Sequence, residues 1–192
     1  MPFVTAFAVA LAMSPLCRRL ALAAGVVDRP GEKKIHGAAT PLLGGVAVAL
    51  GQTAALVGSG AADSASYRIL AAAGLVLLLG IWDDVDPHSE ILRWWVRLIY
   101  EACLAGIVVA GGVRTGFLGS AWLDIPLTLL WIVGITNAFN LLDNMNGLSA
   151  GVAAIGSATF ALLAARYVQV GPEQLPTAVA AAALSGACLG FL

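Results

Sequence analysis

Charged side chains are scarce in this sequence. Asp, Glu, Lys and Arg make up only 11% of its 192 residues, whereas about 25% is usual in soluble domains. Hydrophobic residues make up 60%, and the mean hydropathy is +0.91. This composition excludes an ordinary soluble domain. The net charge of −1 shows no basic excess, and we expect no nucleic-acid partner.

Cysteine is also rare, and linker segments are missing. Cys17, Cys103 and Cys188 have no metal-ligand spacing, and an odd number of cysteines gives no disulfide framework. We expect all three to be small core side chains. Because the stretches between apolar runs are short and show no repeat, residues 1–192 are predicted to form a single integral membrane domain.

Long apolar runs dominate the chain instead. A helix of roughly 17 to 25 apolar residues can cross a bilayer. Such windows fall at residues 2–25, 41–59, 66–82, 92–111, 118–138, 148–168 and 176–192. The sequence therefore predicts an all-α fold, a polytopic transmembrane bundle of about seven helices.

The basic residues predict the orientation of this bundle. Seven of them fall at or near alternate loops: Arg18, Arg19, Arg29, Lys33, Lys34, Arg93 and Arg97. Only Arg68, Arg114 and Arg166 fall on the other side. Cytoplasmic loops carry the excess of basic residues, which places the N-terminus outside. The cytoplasmic loops are then 26–40, 83–91 and 139–147, and they hold most of the polar chemistry.

The first of these loops, VVDRPGEKKIHGAATPLLGG, is basic. It contains Lys33, Lys34 and His36. Lysine side chains can bind phosphate groups, so one interpretation is an anion pocket. The other is a solvated loop that only fixes the topology.

The second loop, GIWDDVDPHSEILRWW, begins with adjacent carboxylates at Asp83 and Asp84. Like charges this close repel each other unless a cation lies near them. Mg²⁺ held by one or two carboxylates and by substrate phosphates would meet that need. Alternatively, both are helix-end charges that face water. Arg93 and Arg97 are one helical turn apart and could face the same site.

The third loop, NAFNLLDNMNGLSAG, is rich in amides. If it continues the fifth helix, Asn137, Asn140 and Asn144 share one face, and Gly147 marks a break. Amides can bind a nucleobase, ribose or sugar edge, and Asp143 can join a metal site or accept from a hydroxyl. The alternative is that these groups form hydrogen bonds between helices.

Taken together, DRPGEKKIHGAATPLLGG, GIWDDV and NAFNLLDNMNGLSAG resemble the motifs of the polyprenyl-phosphate N-acetylhexosamine-1-phosphate transferases. The resemblance is to the undecaprenyl-phosphate GlcNAc-1-phosphate transferase branch, which is related to the phospho-MurNAc-pentapeptide translocase. It implies transfer of a sugar-1-phosphate from a UDP-N-acetylhexosamine to undecaprenyl phosphate, with release of UMP. It also implies a Mg²⁺ cofactor, with Mn²⁺ as the alternative.

The resemblance also implies roles for particular residues. The implied catalytic residues are Asp83, Asp84 and Asp143, of which Asp83 and Asp84 also serve the metal. The implied substrate-binding residues are Lys33, Lys34, His36, Asn137, Asn140, Asn146 and Gly147. The expected location is the bacterial inner membrane, among membrane lipid, with the active face cytoplasmic. A homodimer is left open.

Two positions depart from the family pattern. Asn146 stands where the family has an aspartate, and Arg97 stands where it has a glutamine. The family's later F-x-G-D motif and His-rich loop do not occur before Leu192, so we expect a truncated sequence that is inactive alone. The alternatives are a non-catalytic family member and a cation-coupled membrane transporter.

Overall fold

A computed structural model describes residues 1–28, 40–85, 94–143, 147–168 and 171–192 of the chain. Seven α-helices lie in these ranges, so the predicted all-α bundle is confirmed. They are α1 (Pro2–Ala24), α2 (Gly44–Ser59), α3 (Ser64–Val85), α4 (Trp94–Ala110), α5 (Ala121–Leu142), α6 (Leu148–Val168) and α7 (Leu175–Phe191). A short 3-10 helix, Pro172–Gln174, precedes α7.

The core of the bundle is built from small residues. Alanines at positions 6, 10, 55, 183 and 187 form its buried cluster, each at most 2% exposed. Small side chains let helix backbones approach closely in lipid. Here α1 and α7 touch directly, because a side chain added at Gly186 or Gly190 would overlap the backbone of Phe3 or Phe7.

The order of these contacts shows how the helices run. Gly186 lies against Phe3 and Gly190 against Phe7, so α1 and α7 are parallel. Helix α6 is antiparallel to α7, because the Ser185 hydroxyl donates to the carbonyl oxygen of Ala154 at 3.0 Å and a Cβ atom at Gly147 would lie 3.0 Å from Leu192. Helix α2 is also antiparallel to α7, with Gly44 against Phe191 and Gly51 against Ala187.

Helix α4 is antiparallel to α3 and to α5, as the pairs Arg97–Asp83 and Gly111–Arg68, and Glu101–Asn137 and Thr115–Thr128, show. One end of the bundle is therefore where α1, α3, α5 and α7 finish and α2, α4 and α6 begin. We call it the motif end.

A two-stranded antiparallel ribbon lies in the connection between α1 and α2 at the motif end. Strand β1 (Val27–Asp28) pairs with β2 (Thr40–Pro41). Within the apolar window predicted near residues 41–59 the helix begins at Gly44, because Pro41 pairs with Val27.

Four of the seven helices are long and apolar enough to cross a membrane: α1, α3, α5 and α6. Helices α2 and α7 are shorter apolar helices of 16 and 17 residues. Cys17 and Cys188 are buried as expected, but Cys103 is exposed on α4, so its predicted core position is wrong.

At the opposite end, polar side chains shape the helix starts. The Asp63 carboxylate caps α3 by accepting from the backbone N–H of Ser66 at 2.8 Å and from its hydroxyl. These bonds hold the pKa of Asp63 below its ordinary value. Asp124 is buried in the first turn of α5, where it accepts from the backbone N–H of Leu118 at 2.9 Å. That bond fixes the loop between α4 and α5.

Candidate active site

A cavity of about 660 Å³ opens between five helices at the motif end. Its walls come from β2 and the start of α2, from the middle of α3, from the end of α5, from the start of α6 and from the end of α7. Most of the lining is apolar, and its polar side chains belong to Thr40, Gln52, Asn140, Asp143 and Ser149. A largely apolar cleft with a few polar groups is typical of a small-molecule site.

The third polar motif supplies one wall of this cavity. Asn140 lies in the last turns of α5, Asp143 follows its end, and Gly147 precedes α6; all three line the cavity. Gly147 has a φ of +73°, a conformation that favours glycine, so the predicted break is confirmed. Because α6 starts here, its first N–H groups add partial positive charge, which favours an anion.

Asn137 is turned away from the cavity. Its amide nitrogen donates to the carboxylate of Glu101 on α4 and, at 2.9 Å, to the carbonyl oxygen of Val133. The structure therefore brings Asn140 and Asp143 into the cavity wall and places Asn137 at the contact between α4 and α5. This geometry matches the alternative that some of these amides hold helices together.

The paired aspartates lie in the last turn of α3 and are absent from the cavity lining. Asp83 forms an ion pair with Arg97 of α4. Both side chains are about one third exposed, at 31% and 30%. Asp84 also has an interaction partner. The expected closeness of Arg97 to this motif is confirmed, and the cation beside Asp83 is an arginine.

The described ranges contain no group of three or more His, Cys, Asp or Glu side chains that could hold a metal ion. Four predicted site residues lie outside the described residues: Lys33, Lys34, His36 and Asn146. Their predicted roles, like those of the described candidates, stay predictions.

Sequence reasoning missed three polar cavity residues, Thr40, Gln52 and Ser149. Gln52 had a usable signal, because it is an amide inside a largely apolar helix, and polar groups within membrane helices often mark functional sites. Ser149 had none, because serine is common in such helices.

Comparison with known proteins places this arrangement in a family. The model of the family described as "Glycosyl transferase family 4" matches residues 66–192. This range contains all but the first two residues of α3, the whole of α4 to α7, and two of the three motifs. The chain belongs to glycosyl transferase family 4. The family assignment confirms the resemblance that the motifs carried.

Several curated bacterial proteins are similar to the chain. A probable undecaprenyl-phosphate N-acetylglucosaminyl 1-phosphate transferase of Bacillus subtilis is 33% identical over 84% of this chain and 47% of its own length. A decaprenyl-phosphate N-acetylglucosaminephosphotransferase of Mycolicibacterium smegmatis is 30% identical over 91% and 48%. A phospho-N-acetylmuramoyl-pentapeptide-transferase of Heliobacterium modesticaldum is 32% identical over 99% and 64%.

The chain spans about half the length of the first two of these relatives. No solved structure matches it significantly.

Proposed function

We propose that this family 4 chain contributes to the transfer of N-acetylhexosamine-1-phosphate from a UDP-sugar to undecaprenyl phosphate, with release of UMP. The named relatives support the proposal, because they are N-acetylglucosamine-phosphate and N-acetylmuramoyl-pentapeptide transferases. The observation that carries it is the cavity at the motif end, where Asn140 and Asp143 meet the start of α6.

The position of this cavity suits the two proposed substrates. A polyprenyl phosphate arrives from the lipid and a nucleotide sugar arrives from water, so their reacting phosphates meet at a membrane surface. The positive-inside pattern of basic residues supports the cytoplasmic face of the bacterial inner membrane. The apolar lining contributed by α2, α3 and α7 suits a prenyl chain, and the amide of Asn140 suits a sugar or base edge.

Both substrates are anions, so their repulsion must be overcome before the acceptor phosphate attacks the diphosphate. Positioning and cationic groups supply most of the catalysis in phosphoryl transfer. In this chain the start of α6 offers backbone N–H groups to an anion, and Asp143 stands beside it as an acceptor for a substrate hydroxyl.

Mg²⁺ is the proposed cofactor, because magnesium is commonly held by one or two carboxylates together with substrate phosphates. Asp83 and Asp84 are the carboxylates proposed to hold it, and in this structure Asp83 pairs with Arg97. Such an ion would neutralise phosphate charge.

One observation favours a second candidate, a non-catalytic member of the family. Arg97 forms an ion pair with the carboxylate of Asp83, one of the two aspartates that the family motif places together. A member that had lost transfer activity could keep this ion pair because it joins α3 to α4. The experiment below separates the two candidates.

Membranes from cells that express the complete gene should release UMP from UDP-N-acetylglucosamine when undecaprenyl phosphate and Mg²⁺ are present. The Asp84→Asn variant should abolish that release, because it removes a charge from the proposed metal site. Radiolabelled UDP-N-acetylglucosamine, UDP-N-acetylgalactosamine and UDP-MurNAc-pentapeptide, assayed in parallel, identify the sugar.

Asp63→Asn is the matched control. It removes one carboxylate at the opposite end of α3, and asparagine caps a helix as well as aspartate does. This variant should release UMP at the wild-type rate. Release that survives Asp84→Asn would remove Asp84 from the mechanism, and a complete wild-type protein that transfers sugar-1-phosphate from none of the three UDP-sugars would favour the non-catalytic candidate.

A further inference from the structure

Glu101 is a carboxylate inside the bundle whose presence the proposed chemistry does not require. It lies in the second turn of α4, is 9% exposed and is absent from the cavity lining. Burying a carboxylate is costly even when it is hydrogen-bonded, and replacing both partners of a buried polar contact with apolar groups is often neutral or stabilising. Stability alone is therefore a weak reason to place a glutamate here.

The contact that Glu101 makes is with the motif that lines the cavity. Its carboxylate accepts from the amide of Asn137 on α5. Asn137 is one turn before Asn140 and two turns before Asp143, both of which line the cavity. At about 100° per residue, Asn140 is offset from Asn137 by about 60° and Asp143 by about 120°. A contact that fixes the rotation of α5 at Asn137 therefore also fixes the directions of the Asn140 and Asp143 side chains.

Helix α4 is itself tied to its other neighbour. Arg97, one turn before Glu101, pairs with Asp83 of α3, and the Tyr100 hydroxyl donates to the carbonyl oxygen of Leu75 at 3.1 Å. These two contacts fix α4 against α3. Glu101 of the same helix then contacts Asn137 of α5.

We propose that Glu101 is a positioning residue, which holds Asn137 so that α5 turns Asn140 and Asp143 toward the cavity. On this basis Asn137 holds the helix and does not contact substrate. The proposal deepens the proposed function and rests on it for its effect on turnover. The placement of α5 can be tested without turnover.

The first measurement reports the rotation of α5 directly. Cys17, Cys103 and Cys188 are replaced by alanine, Asn140→Cys provides a single thiol, and its modification by a hydrophilic methanethiosulfonate is timed. Glu101→Leu should slow the reaction severalfold, because position 140 turns from the cavity toward lipid. Glu101→Gln should keep the rate, because its amide oxygen still accepts from Asn137.

Tyr100→Phe is the matched control, since it removes a hydrogen bond of the same helix toward α3 and leaves the contact with α5 intact. It should keep the wild-type labelling rate. If Glu101→Leu does not fold, Asn137→Leu in the same measurement tests the contact from its other side. A labelling rate at position 140 that neither leucine variant changes would overturn the proposal.

The second measurement is turnover of the protein with its native Asn140. A misplacement of about 1 Å can cost about 100-fold in rate, so Glu101→Leu should lower turnover by about 10-fold to 100-fold, and Glu101→Gln should restore it. Asn137→Leu should match Glu101→Leu, and the double variant should be no worse than either, because both remove one contact.

A larger loss for Asn137→Leu would indicate substrate contact and contradict this assignment. Wild-type protein without transfer activity would refute the proposed function, while labelling still decides the role of Glu101.

Discussion

The contact between α1 and α7 gives the sharpest prediction about stability. A Cβ atom added at Gly186 would overlap the carbonyl oxygen of Phe3 and lie 2.9 Å from its carbonyl carbon. Ordinary contacts between carbon atoms are about 3.5 to 4.0 Å. The two helices must therefore move apart by more than the roughly 0.6 to 1.1 Å that the carbonyl carbon alone requires, because the carbonyl oxygen is closer still and backbone atoms cannot rotate away.

This displacement can be converted into a free energy. Overpacking a well-packed core costs about 1 to 3 kcal/mol, and the rigid backbone at Phe3 places Gly186→Ala in the upper part of that range. Against it stands the better helix propensity of alanine, worth up to about 1 kcal/mol. The variant should therefore lose about 1 to 2 kcal/mol of unfolding free energy, and its Tm should fall by about 2 to 8 °C.

Gly156→Ala on α6 is the matched control. A Cβ atom at Gly156 would meet nothing within 4 Å, so this variant gains the propensity of alanine without a clash. The difference between the unfolding free energies of the two variants cancels most of the contribution of helix propensity and leaves the overpacking cost. Thermal unfolding in detergent, followed by tryptophan fluorescence, measures both. A Tm for Gly186→Ala equal to or above that of Gly156→Ala would refute the close contact of α1 with α7.

Two further variants test polar contacts that the structure shows. Asp124→Ala should cost about 1 to 3 kcal/mol, because the backbone N–H of Leu118 loses a buried acceptor, and proteolysis within residues 111–120 should accelerate. Asp124→Asn, which keeps an acceptor, should not show this acceleration. In a double-variant cycle with Asp83→Asn and Arg97→Gln, the coupling measured from unfolding should be about 0.2 to 1 kcal/mol, because the pair is about one third exposed. A coupling of zero would remove the ion pair from the contact between α3 and α4.

The helices could be predicted from the sequence because the physics that sets them is local. Apolar runs of membrane length must satisfy their own backbone hydrogen bonds in lipid, so they form helices. The start of α2 was missed for a non-local reason, since Pro41 pairs with Val27 across fourteen positions of sequence. Strand pairing at that distance leaves no signal in a hydropathy window.

Within the site, spacing predicted which residues share a helix face but not which neighbour that face meets. Asn137 and Asn140 do lie on one helix as expected. The amide of Asn137 nevertheless donates to Glu101, whereas Asn140 lines the cavity. The two positions differ because a rotation of about 60° about the helix axis separates them. Only the packing of α4 against α5 decides this division. The packing of α3 against α4 likewise pairs Arg97 with Asp83.

The bundle thus contains two kinds of helix contact, small-residue packing and polar side-chain contacts. Helices α1, α2 and α7 pack through glycine and alanine at backbone distance, where adding one methyl group lowers stability. Helices α3, α4 and α5 are joined in the described ranges by an ion pair that is about one third exposed and by two hydrogen bonds. An exposed ion pair adds little stability, and replacing both partners of a buried polar contact with apolar groups is often neutral. The double variant Glu101→Leu/Asn137→Leu, which replaces both partners, should therefore leave the Tm nearly unchanged while it alters labelling at position 140, and Gly186→Ala should do the reverse. That crossed result follows only if the small-residue core sets stability and the polar ties of α4 set the geometry of the cavity.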